Sequence, residues 1–253
     1  MKKKVRKVLP EKVTDALREW VWRMMSPRWV TNTGVEIFVK SPAEWVIYND
    51  IFVDCEYDEA IDLALSSSSE QPLILDIGAN VGFFSLRVLD RWRSMEGRTP
   101  PKIIGFEGSP PVYEELMERT NQLSLPDLSE YHMGLIGKRN GKGRIYTSRF
   151  HAVNSVAKNT GYIGKYDVGY LDINDYTQDE KEVSLLKCDI EGSEYDFVRE
   201  YEDLILRTRN MIVEVHEVSG EDLDVEGRLL NMGFTSSEEV RSGEETRVVM
   251  LHE

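Results

Sequence analysis

The sequence has few cysteines and no long apolar run. Its two cysteines, Cys55 and Cys188, lie in strand-like surroundings far apart along the 253 residues. This usage favours reduced thiols in the cytoplasm over a disulfide framework. No window approaches the roughly 18 uninterrupted apolar residues that a membrane span requires. The basic start "MKKKVRKVLP" is followed by charged residues where a signal peptide has its apolar region, so we expect a cytoplasmic protein.

Basic residues are also scarce outside the N-terminus. The chain has 31 Lys and Arg against 45 Asp and Glu, a net charge of −14. Residues 1–30 hold nine basic and three acidic side chains, a local +6, so the remainder carries −20. An acidic body repels phosphates, which argues against a broad nucleic-acid footprint. The basic N-terminus can still contact an anionic surface.

The N-terminal region predicts an amphipathic helix over residues 11–25, closed by Pro27. One face carries Val13, Ala16, Leu17, Trp20, Val21, Met24 and Met25. This helix either packs on the main body or, with its tryptophans and flanking Lys and Arg, rests on a membrane surface; self-association is a further alternative. The strand-like pieces "GVEIFVK" and "WVIYNDIFVD" follow. We divide the chain into residues 1–47, with this helix and lead-in strands, and a domain over 48–253.

A regular alternation of strand and helix patterns begins at residue 72. Strands are predicted at "PLILDIG", "PKIIGFEGS", "EYHMGLIGK", "VSLLKCD", "NMIVEVHEV" and "RVVMLHE", with helices between most of them. A hairpin region, marked by the "NG" turn at 140–141, occupies roughly 137–177. The alternation predicts a doubly wound, mostly parallel sheet. Ligands bind beyond the carboxyl ends of such strands, which points to 76–82, 107–109, 189–194 and 214–217.

The loop after the first of these strands, "DIGANVG" at 76–82, has glycines for a tight turn and close ligand approach. It is not a dinucleotide fingerprint, because Asn80 and Phe83 occupy positions that would require glycine. Asp76 beside a pyrophosphate would be repelled, whereas beside a ligand ammonium it would be attracted.

Glu107 ends the next strand, 31 residues after Asp76. A carboxylate there can accept both hydroxyls of a ribose. A cofactor with a ribose, a cationic amino-acid end and no phosphates satisfies both acids, which predicts S-adenosylmethionine. The competing interpretations are a simple helix-start turn and an exposed acid at a strand end. The predicted cofactor site consists of Asp76, Gly78, Ala79, Asn80, Gly82, Phe83, Glu107 and Ser109. Tyr57 either covers the cofactor or belongs to the core.

Four motifs in this order and spacing, "LILDIGANVGFFSL", "IIGFEGSP", "LLKCDIEGSEYDFV" and "MIVEVHE", resemble the FkbM family of S-adenosylmethionine-dependent methyltransferases. The upstream "IFVDCEYDEAI" shares this resemblance, which covers roughly residues 48–250. It implies a class I methyltransferase (Rossmann-like) fold with a seven-stranded sheet and an antiparallel last strand. It also implies O-methylation of sugar or natural-product hydroxyls. The chain departs from the family pattern at two positions. Gly108 stands where the family more often has proline, and Cys188 stands where it often has an aliphatic residue.

The stretch "VSLLKCDIEGSEYDFV" carries the predicted catalytic residues Lys187, Asp189 and Glu191. On a strand, Lys187 and Asp189 point to the same side and Cys188 to the other. Asp189 is a candidate base, because a carboxylate at the end of a central strand is costly to desolvate without a use. His216 is the other candidate base. Glu194 is explained by the favourable start of a helix.

The same acids have a second interpretation as metal ligands. Asp189, Glu191, His216 and Glu217 offer donors suited to Mg²⁺ or Mn²⁺. Either way, we expect an S-adenosylmethionine-dependent O-methyltransferase that acts on a saccharide, glycolipid or small natural-product hydroxyl. The alternatives are an N-methyltransferase and a catalytically silent module that binds the cofactor or a partner. Enzymes that methylate the exocyclic amines of bases usually carry an Asn/Asp-Pro-Pro-Tyr segment after the fourth strand. This chain has "DIEG" there, which argues against N-methylation of bases.

Overall fold

The computed structural model describes residues 20–22, 24–25, 27–67, 71–123, 128–147, 164–216, 224–243 and 246–252. Its strands are β1 (Arg28–Val30), β2 (Glu36–Phe38), β3 (Leu73–Ile77), β4 (Lys102–Glu107), β5 (Ser129–Met133), β6 (Lys142–Thr147), β7 (Gly164–Gly169), β8 (Leu185–Cys188), β9 (Asn210–His216), β10 (Ser236–Ser242) and β11 (Thr246–His252).

Seven helices of the described ranges carry labels here. They are α1 (Pro42–Tyr48), α2 (Asp58–Ser67), α3 (Phe83–Ser94), α4 (Pro110–Gln122), α5 (Glu194–Glu200), α6 (Glu202–Ile205) and α7 (Val225–Asn231). A π-helical turn over Asn49–Val53 continues α1, and a 3₁₀ turn occupies Ile173–Tyr176.

The central sheet has seven strands in the order β10-β11-β9-β8-β3-β4-β5. Strands β5, β4, β3, β8 and β9 pair in parallel, and β11 is antiparallel to both β9 and β10. This confirms the predicted mostly parallel, seven-stranded sheet with an antiparallel last strand. The strand order reverses between β3 and β8, so their carboxyl ends form the crevice in which such sheets bind ligands.

Two apolar layers cover the two faces of the sheet. Strand β3 is buried along its whole length and sends alternate residues to each layer. Leu75 and Ile77 pack in the layer covered by α5, α6 and α7, whereas Ile74 packs in the layer covered by α2 and α3. Asp76 has the same parity as Ile74 and therefore faces the second of these layers.

The segment "WVIYNDIFVD" is helical, so its prediction as a strand is wrong. Ser41 caps α1 by accepting a hydrogen bond from Glu44 N at 3.1 Å, and Pro42 follows the cap. Trp45, Tyr48 and Phe52 recur at helical spacing and stack, with ring centroids 5.6 and 5.5 Å apart. Their aromatic character suggested a strand, but their spacing is that of one helix face. Helix α1 also crosses the boundary predicted at residues 47 and 48.

Three further elements differ from the prediction. The helix expected over 193–206 is divided at Tyr201 into α5 and α6. The "NG" turn leads into β6 and does not join two paired strands, because β7, the partner of β6, follows residues 148–163. Strand β10 was not predicted, because its residues "SSEEVRS" are polar and mostly exposed at the sheet edge.

The predicted N-terminal helix lies largely outside the described residues. Positions 20–22 and 24–25 are helical, and Trp20, Val21, Met24 and Met25 of its apolar face are all exposed. Trp22 instead packs against the body, with its ring 6.1 Å from that of Trp45. Packing of the predicted face on the body is therefore wrong for the described residues of this helix. Among the described residues, no helix has the length and apolarity to cross a membrane.

Candidate active site

The glycine loop, residues 76–82, connects β3 to α3 and is held by the neighbouring strand. Gly78 N and Ala79 N both donate to Phe106 O, at 3.0 and 2.9 Å. Gly78 has a φ of +81°, and a Cβ at this position would lie 1.8 Å from Asp189 O. Only glycine fits, because both the left-handed backbone and the close approach of a second chain segment exclude a side chain. The loops after β3 and β8 therefore touch through their backbones.

Glu107 lies at the end of β4 and is tied to both flanking loops. Its Oε2 accepts a hydrogen bond from Asn80 N at 2.9 Å and its Oε1 accepts one from Ser109 N at 2.7 Å. Burial raises the pKa of Glu107 to about 7, although these two hydrogen bonds oppose the shift. Each carboxylate oxygen has a second lone pair, so Glu107 retains acceptor capacity. Asn80 Oδ1 is buried with no hydrogen-bond partner in the described structure.

A cleft that is partly open to solvent lies over the carboxyl ends of β3, β4 and β8. It brings together five of the predicted site residues: Gly78, Asn80, Glu107, Asp189 and Glu191. Its other described lining residues are Phe106, Gly108, Gly134, Leu135, Ile136, Ile145, Ile190 and Ser193. The lining thus combines acids with aliphatic side chains, of which we call Leu135, Ile136 and Ile145 the apolar wall.

Asp76 does not line this cleft. It is fully buried, and its Oδ1 lies 3.5 Å from Lys187 Nζ. Lys187 is the residue of β8 that pairs with Asp76 of β3 in the parallel register. Lys187 Nζ also donates to Gly78 O at 2.6 Å and lies 3.5 Å from Asp189 Oδ2. Lys187 and Asp189 are therefore on the same side, as predicted. The sequence suggested that Asp76 contacts the ammonium of a ligand. In the structure, the ammonium beside Asp76 is that of Lys187.

Four more predicted cofactor residues lie beneath the cleft surface and do not line it. Ala79 and Gly82 form the turn into α3, and a Cβ on Gly82 would lie 2.8 Å from Leu116. Phe83 is in the core, edge-on to Phe52. Ser109 is buried and contributes its backbone N–H to Glu107. They lie at the starts of α3 and α4, and their contact with the cofactor stays a prediction.

His216, at the end of β9, is held between two carboxylates. Its Nδ1 lies 2.9 Å from Glu194 Oε1, and its Nε2 lies 3.3 Å from Glu191 Oε2. Burial alone would lower the pKa of His216, but the Glu194 hydrogen bond and the surrounding carboxylates raise it to about 10. The imidazole is then protonated at neutral pH. His216 therefore lacks the ordinary pKa on which its assignment as a candidate base depended, and the assignment itself stays a prediction.

Glu194 was assigned only to helix-start electrostatics, and that interpretation is incomplete. It is 2% exposed, and its carboxylate accepts hydrogen bonds from Gly192 N at 3.0 Å and Ile190 N at 3.3 Å as well as contacting His216. Glu191, between these two amides, has a φ of +53°. Non-glycine residues rarely adopt this conformation, and they do so most often at functional sites. Glu194 therefore holds both the loop after β8 and the histidine.

Three of the predicted catalytic residues lie close together, and we call them the catalytic cluster: Asp189, Glu191 and His216. One potential ligand atom from each residue lies within 4.8 Å of the others. Glu217, the fourth predicted ligand, is outside the described residues. Burial, followed by the charge of Asp189, raises the pKa of Glu191. A bound cation would relieve this excess of negative charge.

A second group of charges flanks the cluster on the β10 side. Arg241 lies 2.9 Å from Glu214 and 3.3 Å from Asp50, which belongs to the π-helical turn. Glu56 is also within reach of this guanidinium, and burial raises its pKa to about 7. Tyr57 is in the core, edge-on to Phe84, which supports the second of its two predicted roles.

The comparison with known families agrees with this geometry. The profile of the methyltransferase FkbM domain matches residues 76–236, which include the glycine loop and the catalytic cluster. The chain belongs to the FkbM methyltransferase family.

Individual relatives are similar at lower levels. The methyltransferase sdnD of Sordaria araneosa is 28% identical over 227 residues, covering 74% of this chain and 81% of that protein. The structure of methyltransferase FkbM from Methylobacillus flagellatus KT has a TM-score of 0.51 at 13% identity, covering 95% of this chain and 59% of that one. Magnesium protoporphyrin IX methyltransferase from Synechocystis PCC 6803, solved with bound SAM, has a TM-score of 0.48 at 11% identity, covering 97% and 98%.

Within this FkbM methyltransferase, the apolar wall of the cleft was missed from sequence. Leu135 and Ile136 follow β5, and Ile145 lies on β6. The rule that ligands bind at the carboxyl ends of strands would have identified the first two, because β5 is parallel to β4. A Cβ on Gly108 would lie 2.8 Å from Leu135, so the family departure at this position makes room for the wall.

Proposed function

We propose that the chain is an S-adenosylmethionine-dependent O-methyltransferase whose acceptor is a hydroxyl of a saccharide, glycolipid or small natural product. One observation carries this proposal: Glu107 and Asp189 line the same cleft from the ends of β4 and β8, the two strands that flank β3. The first can recognise a ribose, and the second can accept a proton from an acceptor hydroxyl. Cysteine usage and charge favour a cytoplasmic enzyme that binds no nucleic acid.

The residues of the cleft fit the cofactor. Glu107 is held by two backbone amides and has lone pairs free for the ribose hydroxyls. Asn80 also lines the cleft, and its buried Oδ1 has no hydrogen-bond partner in the described structure. Gly78 leaves the loop backbone uncovered for close approach. When bound, S-adenosylmethionine supplies an electrophilic methyl group on a sulfonium, which an acceptor oxygen displaces.

Asp189 is the proposed proton acceptor. A sugar hydroxyl is weakly acidic, so its proton must leave as the oxygen–carbon bond forms. His216 is protonated at neutral pH in this geometry and has no free site for that proton. Asp189 lines the cleft, and Lys187 lies 3.5 Å from its Oδ2 and orients it. Lys187 acts as a positioning residue, because it does not line the cleft.

We also propose that the catalytic cluster binds Mg²⁺ or Mn²⁺. Two carboxylates and a deprotonated imidazole form a donor set that divalent cations accept, so binding would release the proton from His216 Nε2. Glu194, on the other imidazole nitrogen, fixes the ring in the way that outer carboxylates orient metal-binding histidines. The ion would hold the acceptor oxygen and lower the pKa of its hydroxyl.

Metal binding is tested without turnover, by titrating Mn²⁺ into the metal-depleted protein and measuring free Mn²⁺ by electron paramagnetic resonance. We expect one bound ion, and a loss of binding in Asp189→Asn and in His216→Ala. Glu200→Gln, on the exposed end of α5, is the matched control and retains binding. Wild-type protein that binds no Mn²⁺ would contradict the metal proposal and leave Asp189 as a metal-free base.

The methyltransferase proposal is tested by calorimetry and by methyl transfer. S-adenosylmethionine is expected to bind the wild type and Asp189→Asn with similar affinity, and Glu107→Ala much more weakly. Labelled cofactor is then incubated with glycan, lipid, small-molecule and protein fractions of a cell extract. Transfer to a hydroxyl by the wild type, and its loss in Asp189→Asn, support the proposal. Transfer to an amine identifies an N-methyltransferase, and cofactor binding without transfer to any fraction identifies a silent module.

A further inference from the structure

A concentrated apolar surface lies at the N-terminal side of the molecule, far along the chain from the catalytic cluster. Seven of the fourteen large apolar side chains exposed in the described ranges lie within residues 20–46. We call these residues the N-terminal surface: Trp20, Val21, Met24, Met25, Val30, Trp45 and Val46. Trp20, Met24 and Met25 are 58%, 68% and 69% exposed. Such a concentration of exposed apolar side chains marks an interaction site.

The N-terminal surface rests on a stack of aromatic rings. Trp29 lies 5.6 Å from Trp45 and 4.8 Å from Tyr48, and Trp22 lies 6.1 Å from Trp45. Phe52 continues the stack from Tyr48 towards the core. Trp22 joins the helical residues 20–22 and 24–25 to this stack, while Met24 and Met25 are exposed to solvent.

The charge of the N-terminal region indicates which kind of partner this surface binds. Residues 1–30 carry nine basic and three acidic side chains, whereas the rest of the chain carries −20. Tryptophan and methionine flanked by Lys and Arg are suited to the boundary between lipid headgroups and acyl chains. A two-fold contact with a second copy would bring two +6 segments together on the same surface, which is electrostatically unfavourable.

We infer that the N-terminal surface binds the protein peripherally to an anionic lipid bilayer. The apolar side chains of this surface insert into the interface. The net positive charge of residues 1–30 in the sequence favours an anionic bilayer over a neutral one. The acidic body is repelled by the same headgroups and remains on the aqueous side. This contact does not depend on the identity of the methyl acceptor.

The test is co-sedimentation of the full chain with vesicles. We expect binding to vesicles of phosphatidylcholine and phosphatidylglycerol, no binding to phosphatidylcholine alone, and weaker binding as salt is raised. Four of the five tryptophans, at positions 20, 22, 29 and 45, lie on this surface or in the stack beneath it. Binding should therefore shift the intrinsic fluorescence to shorter wavelength.

The decisive variant is Met24→Glu combined with Met25→Glu. Both side chains are exposed, so folding is expected to be retained, while vesicle affinity falls by about tenfold or more. Leu206→Glu is the matched control, because Leu206 is 59% exposed but caps the end of α6 and is not part of this surface, and the variant should bind vesicles like the wild type. Equal binding by the double variant and the wild type overturns the inference. So does a wild-type dimer in lipid-free solution that the double variant dissociates, because the surface would then be an interface between copies.

Discussion

Glu194 Oε1 and His216 Nδ1 are 2.9 Å apart, and the same buried carboxylate binds the backbone amides of Ile190 and Gly192. One side chain thus orients the histidine of the catalytic cluster and shapes the loop that carries Asp189 and Glu191. Because Glu194 does not line the cleft, its effect on catalysis is one of position.

Glu194→Gln tests this role with little change of shape. The amide keeps one acceptor but loses the charge that stabilises the imidazolium, so we expect methyl transfer to slow by about 10- to 100-fold. Affinity for S-adenosylmethionine, measured by calorimetry, should be unchanged, because Glu194 contacts no predicted cofactor residue. Asp196→Asn, a partly exposed acid on the same helix, is the control and should retain full activity. A fully active Glu194→Gln would refute the positioning role.

Alanine substitutions at two glycines with the same backbone conformation distinguish two contributions to the free energy of unfolding: backbone strain and steric overlap. Gly78 and Gly34 have φ of +81° and +82°, but a Cβ has open space at Gly34 and meets Asp189 O at Gly78. Gly34→Ala should cost about 1–2 kcal/mol of unfolding free energy. Gly78→Ala should cost about 2 kcal/mol more than that, because the backbone must move. Urea denaturation of both variants measures the difference, and equal losses would contradict the close approach.

Cofactor affinity is predicted to fall as the pH falls through about 7. Burial raises the pKa of Glu107 from 4.5 to about 7, so its carboxylate is increasingly protonated below pH 7 and loses acceptor capacity for the ribose. The expected decrease is about tenfold per pH unit at most. Calorimetry across this range measures it, and Glu107→Gln should bind weakly at every pH. A wild-type affinity that is independent of pH would exclude Glu107 from ribose recognition.

The raised pKa of Glu107 also makes the stability of the fold depend on pH. Because the folded-state pKa of Glu107 is raised, its protonated form stabilises the ligand-free fold. That contribution is fully present below pH 4.5 and is lost as the pH rises through about 7. Glu107→Gln removes this titration, so the difference in stability between wild type and variant should change with pH across that window.

Lys187→Met should be strongly destabilising. It leaves the fully buried Asp76 without its cation, and breaking a buried ion pair in this way typically costs about 3–5 kcal/mol. Adding Asp76→Asn removes the unpaired charge and should recover part of the loss. Chemical denaturation of the single and double variants measures the coupling between the two sites. A single variant as stable as the wild type would show that the pair has no role in stability.

The sheet and the glycine loop were predictable because they depend on local patterns. Buried strands followed by amphipathic helices, and a glycine turn after the first parallel strand, define the ligand-binding edge without knowledge of long-range contacts. The positions of Glu107 and Asp189 at that edge follow from the same rule. The helical nature of "WVIYNDIFVD" did not emerge, because aromatic and β-branched residues suit both a strand and a packed helix face.

The roles of Asp76 and Glu194 required the folded structure. Whether a carboxylate reaches a ligand or a lysine depends on the strand pairing that puts Asp76 beside Lys187. Glu194 was explained by its own helix, and only the position of β9 reveals His216 beside it. Both cases involve contacts between residues distant in sequence, which the pattern of one segment does not encode.

The lack of space above Gly78 also couples two parts of the cleft. Because Gly78 and the backbone of Asp189 are in contact, a displacement of the loop that carries the proposed base is expected to displace the loop of the proposed cofactor site. Acceptor and cofactor are then expected to influence each other's binding through this backbone contact, without sharing a side chain.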